Sequence, residues 1–138
     1  MMAGKVPFVT SPEGQTLPFV ADKLHSVAGE KVPQRMLYPS PELLAEAIDS
    51  VPVGSVSDLV AIRGALAVSH GAESTCPVTT QRVMQQIAEA AVAAWQAGDK
   101  NVTPFWRVVD PDRPNTARLP GGAAFVRERR AAEARGKR

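Results

Sequence analysis

Residues 57–98 read SDLVAIRGALAVSHGAESTCPVTTQRVMQQIAEAAVAAWQAG, and this stretch decides the predicted fold. Apolar residues within it recur in two groups at three- and four-residue spacing, which indicates two helices joined by a polar turn. The first helix begins at Ser57-Asp58 and ends near His70, and the second, longer helix begins at Pro77 or is capped by Thr79. The apolar stripes are Leu59, Ile62, Leu66 and Ala67 in the first helix, and Met84, Ile87, Ala88, Ala91, Val92 and Trp95 in the second.

Another helix is predicted on the N-terminal side of this pair. Ser40-Pro41-Glu42 combines a capping hydroxyl, a proline suited to the first helical position and a carboxylate favourable to the helix dipole. The proline and glycine of residues 51–54 end that helix. Residues 1–39 hold five prolines and show no sustained period, which predicts a proline-rich N-terminal arm. Within the arm, residues 32–38 are a candidate edge strand.

On the C-terminal side, residues 102–109 have strand character, a loop follows, and a last helix runs from about Gly122 into a basic tail. Two short helices, a turn, a longer helix, then a strand and a loop is the order of a winged helix-turn-helix. The predicted fold class is therefore α-rich α+β, a winged helix-turn-helix DNA-binding domain with a short β element, over residues 40–138. The alternative is a helical bundle whose polar helix face is only solvated.

The length of the chain fits one domain, and its charge is distributed unevenly along the sequence. The chain has 138 residues and a net charge of +2. Residues 113–138 carry eight basic and two acidic side chains, a net of +6, so the other residues total −4. A basic end suits contact with a phosphate backbone, and it equally suits a solubilising tail.

Several classes of protein do not fit this sequence. No run approaches the roughly 18 apolar residues of a membrane span, and the N-terminus lacks a secretory signal pattern, so a cytoplasmic location without a membrane partner is expected. The single cysteine, Cys76, excludes a disulfide within the chain. With His25 and His70 it forms no set spaced for zinc, so no metal or cofactor is expected.

On the winged-helix layout, the helix that begins near Val78 is the recognition helix. Its first turns carry hydroxyl, amide and guanidinium groups, which hydrogen-bond phosphates and base edges. Arginines of the last helix add contacts to phosphates that do not depend on sequence. The predicted partner is double-stranded DNA, and the predicted DNA-binding residues are Thr79, Thr80, Gln81, Arg82, Arg127 and Arg130.

Three short segments and the long helix also occur in a recognisable order: VPVGSV at residues 51–56, the helix, PFWRVV at residues 104–109, and LPGG at residues 119–122. In this order they resemble the DNA-binding, active-site domain of methylated-DNA–protein-cysteine methyltransferases, over roughly residues 40–136. In that family a V-P-x-G-x-V segment opens the domain and a Pro-Cys-His-Arg-Val motif holds the alkyl-accepting cysteine. A Tyr-x-Gly-Gly loop lines the pocket for the base.

The chain departs from the family at the groups that perform the chemistry. Alkyl transfer needs a thiolate activated by a neighbouring histidine, but here Phe105 stands at the cysteine position and Trp106 at the histidine position. The resemblance therefore implies a methyltransferase-like branch that lacks the acceptor cysteine. Such a protein is non-enzymatic, resembles alkyltransferase-like proteins, and binds DNA to recognise alkylated or otherwise modified bases for repair proteins.

The resemblance also implies a pocket. Phe105 plugs or floors it, and Glu133 takes the place of the family's histidine-orienting glutamate, with the indole N–H of Trp106 as its partner. A simple exposed carboxylate is the alternative for Glu133. The implied pocket residues are Pro104, Phe105, Trp106, Arg107, Leu119, Pro120, Gly121, Gly122 and Glu133.

Two other functions stay open. One is a protein-interaction module on a winged-helix scaffold that has lost DNA binding, which the acidic balance of residues 1–112 permits. The other is an alkyl-accepting methyltransferase that uses Cys76. This cysteine lies at a helix N-terminus, where the dipole favours a thiolate. A small buried turn residue is the ordinary role for such a cysteine.

Overall fold

A β-hairpin followed by four α-helices makes up the structure, a computed structural model that describes residues 16–136. This confirms the mixed α+β, helix-rich fold class. The elements are β1 (Phe19–Val27), β2 (Glu30–Tyr38), α1 (Pro41–Asp49), α2 (Leu59–Ser69), β3 (Ser74–Thr75), α3 (Pro77–Gln96), 3₁₀ helices at Phe105–Arg107 and Pro114–Arg118, and α4 (Gly122–Gly136). The first 15 residues of the predicted arm and the last two of the basic tail lie outside the described residues.

The predicted helix starts are confirmed because each rests on local chemistry. The Ser40 hydroxyl accepts a hydrogen bond from the Leu43 amide at 3.0 Å, and Asp58 accepts one from the Ala61 amide at 2.8 Å. The helix α3 begins at Pro77, one of the two predicted starts. Its cap is not Thr79 but Cys76, whose sulfur accepts a hydrogen bond from the backbone N–H of residue 79 at 3.4 Å.

The β1–β2 hairpin of the sheet lies in the segment that was predicted to be an arm. The strand β2 pairs with β1 along its whole length and with β3 in parallel at Met36 and Leu37. Residues 32–38 are therefore part of a central strand, and the prediction of an edge strand is wrong. Pro33 is tolerated because β3 covers only two residues of β2, which leaves that side of the strand open at position 33.

The predicted strand at residues 102–109 is also wrong. A 3₁₀ helix forms at Phe105–Arg107, with the Arg107 amide donating to the Pro104 carbonyl at 3.0 Å and the Val108 amide to the Phe105 carbonyl at 3.1 Å. Every residue from Pro104 to Val109 is buried. A half-buried strand would instead alternate between two faces.

The core joins the helices, the base of the hairpin and the 3₁₀ segment. Leu44 and Ile48 of α1 are fully buried, as are Val83 and Ile87 of α3. Phe105 lies 5.9 Å from Phe125 of α4 in a stacked arrangement. Further rings of this cluster come from Trp95 and Trp106. Within residues 16–136 the structure contains no helix with the length and apolar character needed to cross a membrane.

Candidate nucleic-acid interface and neighbouring pockets

An open groove runs along the exposed side of the first half of α3. Gln81 and Arg82 are exposed and Gln85 is half-buried. Together with Asn115 and Arg118 from the second 3₁₀ helix, they line a groove of about 550 Å³. Glu89 also lines the groove and accepts a hydrogen bond from the Gln85 amide at 3.3 Å. The groove therefore places amide, guanidinium and carboxylate groups from two elements side by side, and two of the predicted DNA-binding residues belong to it. We call it the α3 groove.

Thr79 and Thr80 do not belong to the groove, which corrects their prediction as DNA contacts. They are only 2% and 1% exposed. The Thr80 hydroxyl donates to the Cys76 carbonyl at 2.7 Å. Thr80 precedes Met84 by four residues, so it lies on the apolar face of the helix. Extending the apolar stripe one turn backwards would have predicted this burial from the sequence.

A larger pocket of about 740 Å³ lies next to the α3 groove, and we call it the α2–α3 pocket. It shares Gln81, Asn115 and Leu119 with the groove. Apolar walls are supplied by Leu59, Met84, Val108 and Val109, and charged groups by Asp58, Arg63, Asp110 and Arg113. Leu119 is the one residue of the predicted base pocket that lines it.

The structure separates the residues of the predicted base pocket. Pro104, Trp106, Arg107 and Glu133 line a different pocket of about 320 Å³, which we call the tryptophan pocket. Phe105 is fully buried and lines none of these three cavities, so it fills the core instead of flooring a pocket. Pro120, Gly121 and Gly122 form the turn that leads into α4 and also line none of the three.

A buried ion pair fixes α4 against the 3₁₀ helix. Arg107 donates from Nε and Nη2 to the two carboxylate oxygens of Glu133, at 3.0 and 2.8 Å. Its Nη1 donates to the Val51 carbonyl at 2.8 Å. Burial of Glu133 opposes its ionisation, but the hydrogen bonds and charge of Arg107 outweigh this effect, and the pKa of Glu133 lies below its usual value. The exposed-carboxylate alternative for Glu133 is wrong, since the residue is 9% exposed.

Arg107 thus serves as the main hydrogen-bond partner of Glu133, a role that was predicted for the Trp106 indole. The indole N–H is near enough to Glu133 to lower its pKa further. Its Nε1 atom is nevertheless buried and has no hydrogen-bond partner within bonding geometry among the described residues. The indole therefore assists Arg107 at the Glu133 carboxylate without forming a close hydrogen bond.

The two arginines predicted to bind phosphate on α4 differ in their surroundings. Arg127 is exposed and forms an ion pair with Asp112 at 2.7 Å. Arg130 donates from Nε to the Trp106 carbonyl and from Nη2 to the Val109 carbonyl, both at 2.6 Å. Burial lowers the pKa of Arg130, opposed by the charge of Asp110. Because two of its donors hold the 3₁₀ helix and the residue Val109 after it, Arg130 is a structural brace, and its contact with phosphate stays a prediction.

Cys76 has a structural role in this arrangement as the cap of α3. His70 is exposed, and its Nδ1 lies 3.0 Å from the Leu66 carbonyl at the end of α2. Among residues 16–136, no three His, Cys, Asp or Glu side chains group in a way that would hold a metal ion.

Comparison of this chain with protein-family models, with curated proteins and with solved structures finds no match, so the resemblance to the cysteine methyltransferases stays an interpretation of its short segments.

Proposed function

We propose that this chain is a non-enzymatic protein that binds double-stranded DNA through the α3 groove. The observation that carries the proposal is the groove formed by exposed Gln81 and Arg82 and half-buried Gln85 on one helix, beside Asn115 and Arg118. Under this proposal α2 and α3 form the helix-turn-helix, with β3 in the turn between them. The helix α3 then enters the major groove, which is wide enough to admit an α-helix.

The chemistry of the α3 groove suits a duplex. The guanidinium groups of Arg82 and Arg118 match phosphate oxygens or the acceptor pair of guanine, and the amide of Gln81 matches the donor and acceptor of adenine. Glu89, which accepts a hydrogen bond from Gln85, can also accept one from the amino group of cytosine. The surplus of basic side chains over residues 113–138 adds attraction that does not depend on sequence.

The α2–α3 pocket supports the narrower proposal that a modified base is recognised. It directly adjoins the α3 groove, and its apolar walls offer surfaces on which an extruded base can stack. A damaged base costs less to extrude than an intact paired one, which gives such a pocket its selectivity. A protein of this kind would mark the lesion and leave the chemistry to repair proteins.

The test is the affinity for two duplexes of about 20 base pairs, matched except for one alkylated guanine, at about 50 and about 150 mM salt. The wild-type protein should bind more weakly at the higher salt and more tightly to the alkylated duplex, with an unchanged mass at Cys76. Arg118→Gln should reduce the salt slope by about one. Lys31→Gln removes the same charge from the exposed hairpin and should leave the slope unchanged.

Lack of binding at either salt concentration would overturn the proposal. Transfer of the alkyl group to Cys76 would overturn its non-enzymatic part. Equal slopes for Arg118→Gln and Lys31→Gln would show that DNA binds without using the α3 groove.

A specific observation favours the protein-interaction module as a second function. Val53, Val56 and Val60 lie close together in sequence, and each is at least 60% exposed. Grouped exposed apolar residues mark protein contacts more often than scattered ones do. If no duplex binds and the protein self-associates in light scattering, with the association lost in the Val56→Ser/Val60→Ser double variant, this second function accounts for the chain.

A further inference from the structure

The tryptophan pocket is not used by the proposed DNA contact. It lies between the C-terminal end of α3, the segment that follows, the first 3₁₀ helix and α4, and shares no lining residue with the α3 groove or the α2–α3 pocket. Trp95 and Trp106 are the only two tryptophans of the chain, and both line it. At about 320 Å³ it has the size of a site for a small molecule.

Two cations are held at this pocket by one indole ring. The Lys100 Nζ atom and the Arg129 Cζ atom each lie 4.2 Å from the Trp95 ring centroid. Lys100 also donates to the Trp95 carbonyl at 3.3 Å. The face of an aromatic ring attracts cations, so these contacts fix two long side chains that would otherwise move freely.

A buried arginine donor at the same pocket lacks an acceptor. Nε of Arg129 is inaccessible to solvent and forms no hydrogen bond with any described residue. Nε1 of Trp106 is also buried, but it lies close enough to Glu133 to lower the pKa of that carboxyl. An unpaired buried donor is costly, so the described residues around Arg129 compensate its charge incompletely.

The carboxylates at the pocket do not balance the charge of its cations. Glu133 is engaged by two hydrogen bonds from Arg107, which neutralises both groups. Asp49 lines the pocket from the end of α1, and burial raises its pKa against the attraction of Arg107. With Asp49 ionised, Lys100 and Arg129 still leave the pocket with a net positive charge of one.

We infer that the tryptophan pocket binds a small oxyanion, a carboxylate or a phosphate, which pairs with the Arg129 guanidinium and the Lys100 ammonium group, since both residues line the pocket. A carboxylate presents a planar pair of acceptor oxygens to an arginine, and a phosphate presents a tetrahedral set. The lysine ammonium group pairs with either of them as a point charge. The bound ligand would join the segment after α3 to α4, and it would therefore raise the melting temperature.

The test is intrinsic fluorescence, since every tryptophan of the chain lines the pocket. The protein is titrated separately with sodium phosphate and with sodium benzoate, at constant ionic strength set with sodium chloride. A saturable change with a dissociation constant of about 1 mM or below is expected for at least one of them. Comparison of the two titrations identifies which oxyanion the pocket prefers.

Variants localise the binding by calorimetry. Arg129→Met and Lys100→Met should each weaken it about tenfold. The matched control is Arg127→Met, because Arg127 is on the same helix but does not line the pocket. Lys100 is exposed, so its variant keeps the test valid if Arg129→Met does not fold.

The inference is overturned if neither oxyanion gives a saturable signal up to about 20 mM, or if Lys100→Met binds as tightly as wild type. This inference is independent of the proposed DNA contact. The Lys100→Met variant should lose no more affinity for a DNA duplex than the Lys31→Gln variant does.

Discussion

Replacing Glu133 by alanine should be among the most destabilising single changes in this chain. The substitution removes both acceptors of Arg107 and leaves its guanidinium in a site where the arginine is 9% exposed. Each lost charge-assisted hydrogen bond is worth about 1.5–3 kcal/mol, and breaking one side of a buried pair costs about 3–5 kcal/mol. The bond from Nη1 to the Val51 carbonyl remains. We therefore expect the free energy of unfolding to fall by about 3–4 kcal/mol.

Urea denaturation followed by circular dichroism measures this change. Glu128→Ala is the matched control, because it removes an exposed carboxylate from the same helix and should cost less than about 0.5 kcal/mol. The double variant Arg107→Met/Glu133→Leu should be more stable than Glu133→Ala, because no buried charge is left alone. A loss below about 1 kcal/mol for Glu133→Ala, or a loss equal to that of Glu128→Ala, would refute the assigned strength of the pair.

The same ion pair predicts how stability depends on pH. The folded protein holds the pKa of Glu133 below its ordinary value of 4.5. The unfolded chain therefore binds the proton more readily, and the stabilisation is present above pH 4.5 and lost as the pH falls through the lower folded pKa. The stability difference between wild type and Glu133→Gln should shrink over that acidic range. A difference that stays constant down to about pH 2 would contradict the direction of the shift.

Three further substitutions test local features by denaturation. Gly121→Ala should lower the free energy of unfolding by about 1–3 kcal/mol more than Gly98→Ala does. Both glycines have positive φ, but only a Cβ at 121 would clash, since it would lie 2.6 Å from the Phe125 Cβ. Equal losses of stability in the two variants would contradict this prediction. Cys76→Ala should cost about 1 kcal/mol by removing the cap of α3, while Cys76→Ser should stay within about 0.5 kcal/mol of wild type; the reverse order would argue against capping. Phe105→Ala should cost about 3–5 kcal/mol, and a loss under about 1 kcal/mol would show that this side chain is not part of the core.

The helices could be predicted from the sequence because their signals lie within a few residues of each other. The Ser40 hydroxyl and the Asp58 carboxylate act on amides three residues away. Only the β2–β3 pairing depends on a distant partner, because Leu37 of β2 pairs with Thr75 of β3, 38 positions later. The β1–β2 hairpin is local, since Val27 pairs with Glu30 across a two-residue turn, and it was missed because the prolines of the segment favoured an arm.

The 3₁₀ helix at Phe105–Arg107 shows a different limit of prediction from the sequence. Its residues have strand propensity, but the tertiary environment buries all of them, so the local preference is overruled. The alternation expected of a strand then misplaced Phe105, which was assigned to a pocket and lies in the core.

The candidate site was predictable where exposure follows helix periodicity. Gln81 and Arg82 lie on the polar face and line the groove, whereas Thr79 and Thr80 continue the apolar stripe and are buried. The partner of Glu133 was not predictable from spacing, since Arg107 lies 26 residues away and competes with several other arginines.

A titration of the isotope-labelled protein with duplex DNA, followed by backbone amide chemical shifts, tests the DNA contact most directly. The proposal predicts that the largest shifts fall on Gln81, Arg82 and Gln85 of α3 and on Asn115 and Arg118 of the neighbouring 3₁₀ helix. Shifts confined to the hairpin at residues 19–38 or to the tryptophan pocket, or no shifts at low salt, would contradict it.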